Sequence, residues 1–158
     1  MTDFEVRPAR GEDARDLAKL LVAVAEERLY LATEPPVDID EWAERFAANL
    51  EGFFVAVGEG RVVGQLAVWP RQAVGELAMA VAREWRGRGV GSALMEAAIE
   101  WARTRRLQKL KLDVFPHNEA AIALYRKFGF AEEGRREKHY RRANGELWDA
   151  LVMGLPLD

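Results

Sequence analysis

The sequence predicts one mixed α/β domain over residues 1–158, a largely antiparallel sheet with helices on both faces, in the order β-αα-βββ-α-β-α-ββ. Three observations carry this reading. Short β-rich runs alternate with amphipathic stretches along the whole length. Two apolar runs meet across Gly58-Glu59-Gly60, where glycines permit the positive φ of a tight hairpin turn. In mid-chain, Arg86-Gly87-Arg88-Gly89-Val90-Gly91-Ser92 opens a long apolar-striped segment.

The elements follow in order. Phe4 to Arg7 alternates and meets Pro8, which suits an edge strand. From Glu12 to Arg28, Leu17, Leu20, Leu21, Val24 and Arg28 recur at helical spacing, and Thr33-Glu34-Pro35-Pro36 breaks the pattern. A second helix runs from Ile39 to Leu50, with Trp42, Phe46 and Leu50 on one face. Strands follow at Phe53 to Val57, Arg61 to Trp69 and Val74 to Ala82. The glycine-rich stretch then starts a helix reaching Arg105, striped by Val90, Leu94, Ala97 and Trp101. Leu110 to Phe115 is a strand stopped by Pro116. Asn118 caps a helix to Phe128, and Gly129 takes the left-handed position after it. Arg135 to Arg142 and Leu147 to Met153 close the chain as a hairpin around Asn144-Gly145.

Composition removes several function classes. There is no cysteine, so thiolate nucleophiles and cysteine zinc sites are excluded, and two histidines without metal-ligand spacing leave no metal site in the pattern. The charged N-terminus lacks a signal peptide's apolar core, and no apolar run approaches the roughly 20 residues that span a bilayer. A cytoplasmic protein without membrane partners is the expectation. A net charge of −3 argues against nucleic-acid binding. The basic run Arg135 to Arg142 reads as a charged edge strand that discourages sheet-to-sheet pairing, the alternative being attraction of an acidic acceptor or of a coenzyme's phosphate.

The glycine-rich stretch carries the chemistry. A helix's first turn leaves backbone N–H groups without partners at the positive end of its dipole, and glycines let a phosphate approach them closely. Arg86 and Arg88 add formal charge. A Walker P-loop is excluded, since no Gly-Lys precedes Ser or Thr. A dinucleotide turn would use Asp113 as its acidic residue, but the third glycine position holds Ser92 or Leu94. A turn that merely starts a helix leaves the paired arginines unexplained.

Arg86-x-x-Gly89-x-Gly91 resembles the coenzyme A pyrophosphate loop of the GNAT N-acetyltransferase superfamily (Gln or Arg, x, x, Gly, x, Gly or Ala). Strand Leu77 to Val81, Glu84-Trp85, and later Asn118, Ala121-Ile122, Leu124-Tyr125 and Lys127-Phe128-Gly129-Phe130 fall where that family has its second block. The resemblance covers Phe53 to Gly134 closely, and bacterial amino-group acetyltransferases acting on ribosomal-protein N-termini are similar there.

What the resemblance implies is acetyl transfer from acetyl-CoA to a primary amine, by direct attack in a ternary complex. Met79, Ala80 and Val81 would hold the pantetheine arm as an added strand, which needs the strands around Val81 and Val114 to splay. Gly87, Arg88, Gly89, Val90, Gly91 and Ser92, with Arg86 and Asn118, would complete the coenzyme site, and an N–H near Val81 would face the thioester oxygen. Tyr125 is the implied general acid. Asp113 matches the proton acceptor of the ribosomal-protein branch, which has Glu there; Glu76 is the alternative through a water, and His117 a third. Tyr30, the Thr33 to Pro36 loop, Trp42, Trp69 and Tyr140 are available for the acceptor, a small molecule or a protein amine. The alternative is a non-catalytic acyl-CoA sensor, and the C-terminal strands leave a homodimer open.

Overall fold

The computed structural model describes residues 3–157. Its elements are β1 (Phe4–Pro8), α1 (Ala14–Ala25), α2 (Ile39–Ala48), β2 (Phe53–Gly58), β3 (Arg61–Arg71), β4 (Val74–Val81), α3 (Val90–Thr104), β5 (Lys109–Val114), α4 (Glu119–Lys127), β6 (Ala131–Arg141) and β7 (Leu147–Pro156). The expected element order holds. The strands form one sheet in the order β1-β2-β3-β4-β5-β7-β6, antiparallel everywhere except between β4 and β5.

Local chemistry explains the boundaries. Glu59 and Gly60 both take positive φ, 52° and 74°, as a two-residue hairpin turn requires. Asn118 Oδ1 accepts from Ala121 N at 3.3 Å and starts α4, a cap of the kind worth about 1 kcal/mol. Gly129 ends that helix at φ 101°, and Phe130 N–H closes it on Tyr125 O at 3.0 Å.

Several details differ from expectation, among them that β6 starts at Ala131 and β7 runs on to Pro156. The first helix stops at Ala25, well before the prolines, so Arg28 is not on its apolar face; it sits in the following turn at φ 58°. β3 runs through Pro70 to Arg71, because Pro70 opposes Gly75 near the sheet's end and the turn itself is made by Gln72 at φ 57°. The buried stripe of α3 is Val90, Leu94, Met95, Ala98, Ile99 and Ala102, while Ala97 and Trp101 are half-buried. Val90 and Leu94 settle over Gly64, where a Cβ would lie 2.7 and 3.1 Å from them, and Trp101 instead covers Gly52.

The core lies on both faces of the sheet. Leu17, Leu20, Leu21 and Val24 of α1 bury one side, with Phe46 of α2 edge-on to Phe53 at 5.5 Å. α3 covers the other, beside α4: a Cβ on Gly91 would stand 2.9 Å from Leu124 and 3.5 Å from Met79, so this glycine is fixed by helix packing.

Candidate active site

The single parallel pairing positions the site. β4 and β5 register only from Val74↔Lys109 to Glu76↔Lys111, and beyond Glu76 the two strands diverge. The sequence-level expectation of a splay is met, without a bulge in β4's pairing with β3. Ala82 N–H donates to Val63 O on β3 at 2.8 Å, so by strand alternation Val81 and Met79 turn their backbone groups to the open side. Buried strand edges of this kind need partners, and an extended amide-bearing chain supplies them.

A cavity of about 590 Å³ passes through this opening and is lined from both faces of the sheet. On the α3–α4 face lie Gly87, Gly89, Gly91, Ser92, Asn118, Leu124 and Tyr125. Gly87 and Gly89 have φ of 75° and 88°, with open space where a Cβ would be. Ala93 N–H returns to Gly89 O, which leaves the N–H groups of Val90, Gly91 and Ser92 without intrahelical partners. Unpaired N–H groups at the N-terminus of a fifteen-residue helix have the geometry to hold an anion. Val90 contributes backbone only, because its side chain is buried over β3.

Both arginines pair with carboxylates, Arg86 from within the cavity lining and Arg88 from outside it. Arg86 gives Nη1 and Nη2 to Glu27 at 2.8 and 2.7 Å and Nε to Val81 O at 3.0 Å, over the Tyr30 ring. The hydrogen-bonded Arg86 holds the Glu27 carboxyl below its usual range, and Glu27 raises the guanidinium in turn. Arg86 therefore ties the end of α1 to the glycine loop. Arg88 stacks 3.9 Å over Trp85 and pairs with Asp3 at 2.8 Å, outside the cavity lining.

Tyr125 stands where α4 meets the opening, 6% exposed. Burial pushes its phenol up to about 12, so the hydroxyl keeps its proton across the neutral range.

On the α1 face, sheet periodicity gathers the charges. Lys111 and Asp113 are two residues apart on β5, and Glu76 is cross-strand from Lys111. Lys111 Nζ donates to Glu76 Oε1 at 3.2 Å, and Asp113 accepts from Tyr140 Oη at 3.0 Å and Arg136 Nε at 3.1 Å. Burial, then the Asp113 carboxylate, holds the Tyr140 phenol above its ordinary value. Tyr30, Leu31, Ala32 and Trp69 complete this wall. Glu76, Asp113 and Tyr125, far apart in sequence, thus share one cavity with Met79, Ala80 and Val81.

Other candidates fall outside it. Trp42 packs on Phe46 under Arg45, and His117 donates from Nε2 to Leu29 O at 2.5 Å. Sequence reasoning missed Lys111, Glu27 and the buried Arg142. Only Lys111 left a trace, its alternation with Asp113.

Known proteins share the sequence pattern and the fold of this chain. The sequence profile described as Acetyltransferase (GNAT) family matches residues 15–130. An L-amino acid N-acetyltransferase of Escherichia coli is 35% identical over 97% of this chain and 98% of its own. A ribosomal protein bS18-alanine N-acetyltransferase of Salmonella typhimurium is 40% identical, over 50% of this chain and 53% of its own. The crystal structure of a ribosomal-protein-alanine N-acetyltransferase from Brucella melitensis superposes with a TM-score of 0.85 at 31% identity, covering 97% of this chain and 99% of that one.

Proposed function

Because the chain belongs to the Acetyltransferase (GNAT) family, we propose that it transfers the acetyl group of acetyl-CoA to the α-amino group of a free L-amino acid. The observation that carries the acceptor class is the charge pattern on the α1 face, where Lys111 sits between Glu76 and Asp113 beside Tyr30, Trp69 and Tyr140. A zwitterion presents one charge of each sign. Lys111 suits its carboxylate, Asp113 or Glu76 its ammonium, and the aromatic side chains suit an apolar side chain. The full-length likeness to the Escherichia coli L-amino acid enzyme supports the same class.

Acetyl-CoA supplies a thioester whose acyl carbon an amine can attack directly. The splayed edge of β4 takes the coenzyme's amide-bearing arm through Met79 and Val81, with Ala80 lining the same stretch. The N–H groups of Gly87 to Ser92 take the diphosphate, and Asn118 borders it. Val81 N–H polarises the acyl oxygen. Asp113, or Glu76 through a water, accepts the proton that the ammonium must lose. Tyr125 Oη donates the proton that the departing sulfur needs, and its raised pKa keeps that proton available. The donor is an intracellular metabolite, so a cytoplasmic setting belongs to this reading.

A second acceptor, the N-terminal amine of a protein, is favoured by the likeness to the Brucella enzyme over nearly the whole chain. One assay separates the two. A chromogenic disulfide reagent reports released coenzyme A thiol without background, since the chain has no cysteine. The L-amino acids and an alanine-ended peptide are compared by kcat/KM. The proposal expects an apolar L-amino acid to exceed the peptide by about tenfold or more, and the reverse order transfers the acceptor to a protein. Saturable acetyl-CoA binding without thiol release on any amine would revive the sensor alternative.

A further inference from the structure

The segment between α1 and α2, Glu26 to Asp38, has no helix or strand of its own, yet it presents Tyr30, Leu31 and Ala32 to the cavity. A segment without regular structure must find donors for its carbonyls elsewhere. Here they come from the far end of the chain. Arg142, just past β6, gives Nη1 to Leu31 O at 3.0 Å and Ala32 O at 3.4 Å, and Nη2 to Arg28 O at 3.4 Å. It pairs with Glu34 at 3.5 Å, and Glu34 accepts from Ala143 N–H at 2.6 Å. His117 donates to a further carbonyl of the segment, that of Leu29.

The Arg142 side chain is 2% exposed, 4.2 Å from the Trp148 ring and 5.3 Å from Phe115, and its Nε is buried without a partner. Burying a guanidinium this deeply is a poor route to stability alone, since an apolar side chain of similar volume serves as well or better. What an apolar residue cannot do is fork to three carbonyls and a carboxylate at once. Resting on the acceptor reading above, we propose that Arg142 is a positioning residue for acceptor recognition. It clamps residues 28–34 so that Tyr30, Leu31 and Ala32 line the cavity they share with Asp113 and Tyr140, and it thereby sets the acceptor's KM without touching acceptor or coenzyme.

The test uses Arg142→Lys, which keeps the charge but loses the fork, and Glu34→Gln, which leaves Arg142 in place should the first variant fold poorly. For each, KM for the best L-amino acid, Kd for acetyl-CoA and hydrogen exchange of residues 28–34 are measured. The expected result is a KM raised about tenfold in Arg142→Lys and less in Glu34→Gln, with acetyl-CoA Kd within about twofold of wild type. Loss of exchange protection should be confined to residues 28–34. An unchanged KM in folded variants overturns the proposal, as does acetyl-CoA affinity that falls in parallel with the amine's. If wild-type enzyme acetylates no amino acid, the substrate reading fails by itself. The positioning claim is then decided by exchange, with unaltered protection of residues 28–34 overturning it.

Discussion

The two sides of the cavity are built by different means. On the α3–α4 face the groups aimed into the opening are largely backbone: the free edge of β4, the glycine loop and the first turn of α3. On the α1 face they are side chains, Glu76, Lys111, Asp113 and Tyr140 from three strands, and a segment held by Arg142 more than a hundred positions away. A backbone site tolerates no Cβ where it closes on its ligand but accepts almost any neighbour. A side-chain site can be retuned by single substitutions. On the proposed function, the difference separates a fixed donor side from an adjustable acceptor side.

The largest effect that can break this division is Gly89→Glu. It places an L side chain at φ 88°, adds strain of about 1–3 kcal/mol, and sets a negative charge beside the unpaired N–H groups. Calorimetry should show acetyl-CoA affinity reduced by about 10²-fold or more. Affinity near wild type would mean that these backbone groups are not the anchor. Tyr125→Phe comes next. It should lower kcat by about 10²-fold while acetyl-CoA Kd stays within about twofold. Wild-type kcat should also hold to pH 10, where a tyrosine of ordinary pKa is about half ionised, because the Tyr125 phenol is pushed up to about 12. A halving of kcat by pH 10 in stable enzyme would mean that the acid titrates near the ordinary tyrosine value, and its persistence in Tyr125→Phe would remove Tyr125 as the acid.

This division also explains what was legible in the sequence. The donor side is contiguous: Arg86 to Ser92 and Asn118 to Phe130 are local patterns, and the helix entry, the Asn118 cap and the Gly129 stop follow from residue type alone. The sheet's splay was expected, since an added strand needs it. What was not legible depends on which side chains meet. Arg86 looks like a phosphate ligand until Glu27 is found against it, and nothing near Arg142 in the sequence says that it bonds residues 28–34. The end of α1 at Ala25 is illegible for the same reason, because the segment after it is held by distant donors rather than by its own prolines.

On the adjustable side, Lys111→Met sharpens the assignment. Its removal leaves Glu76 half-exposed and able to rehydrate, so the fold should survive. KM for the L-amino acid should rise about tenfold with acetyl-CoA Kd unchanged, because one charge-assisted contact is lost. Equal KM for an amino acid and its amide in the wild-type enzyme would show that no carboxylate is read there.

The smallest effect tests the seam between the sides. Glu27 joins the end of α1 to the glycine loop through a bidentate pair in which the carboxylate is 16% and the guanidinium 32% exposed. After discounting for solvent, the pair is worth about 1–2 kcal/mol, so Glu27→Gln should lower Tm at pH 7 by about 3–6 °C. The sign with pH follows from the direction of the shift. Arg86 holds the folded-state carboxyl below its ordinary value of 4.5, so the contribution is complete above that value and drains away as pH falls through the lowered one. The Tm gap between wild type and Glu27→Gln should therefore be constant from pH 7 down to about 5 and close in stronger acid. A gap that persists unchanged into strong acid would mean that Glu27 holds the two sides together by packing rather than by charge.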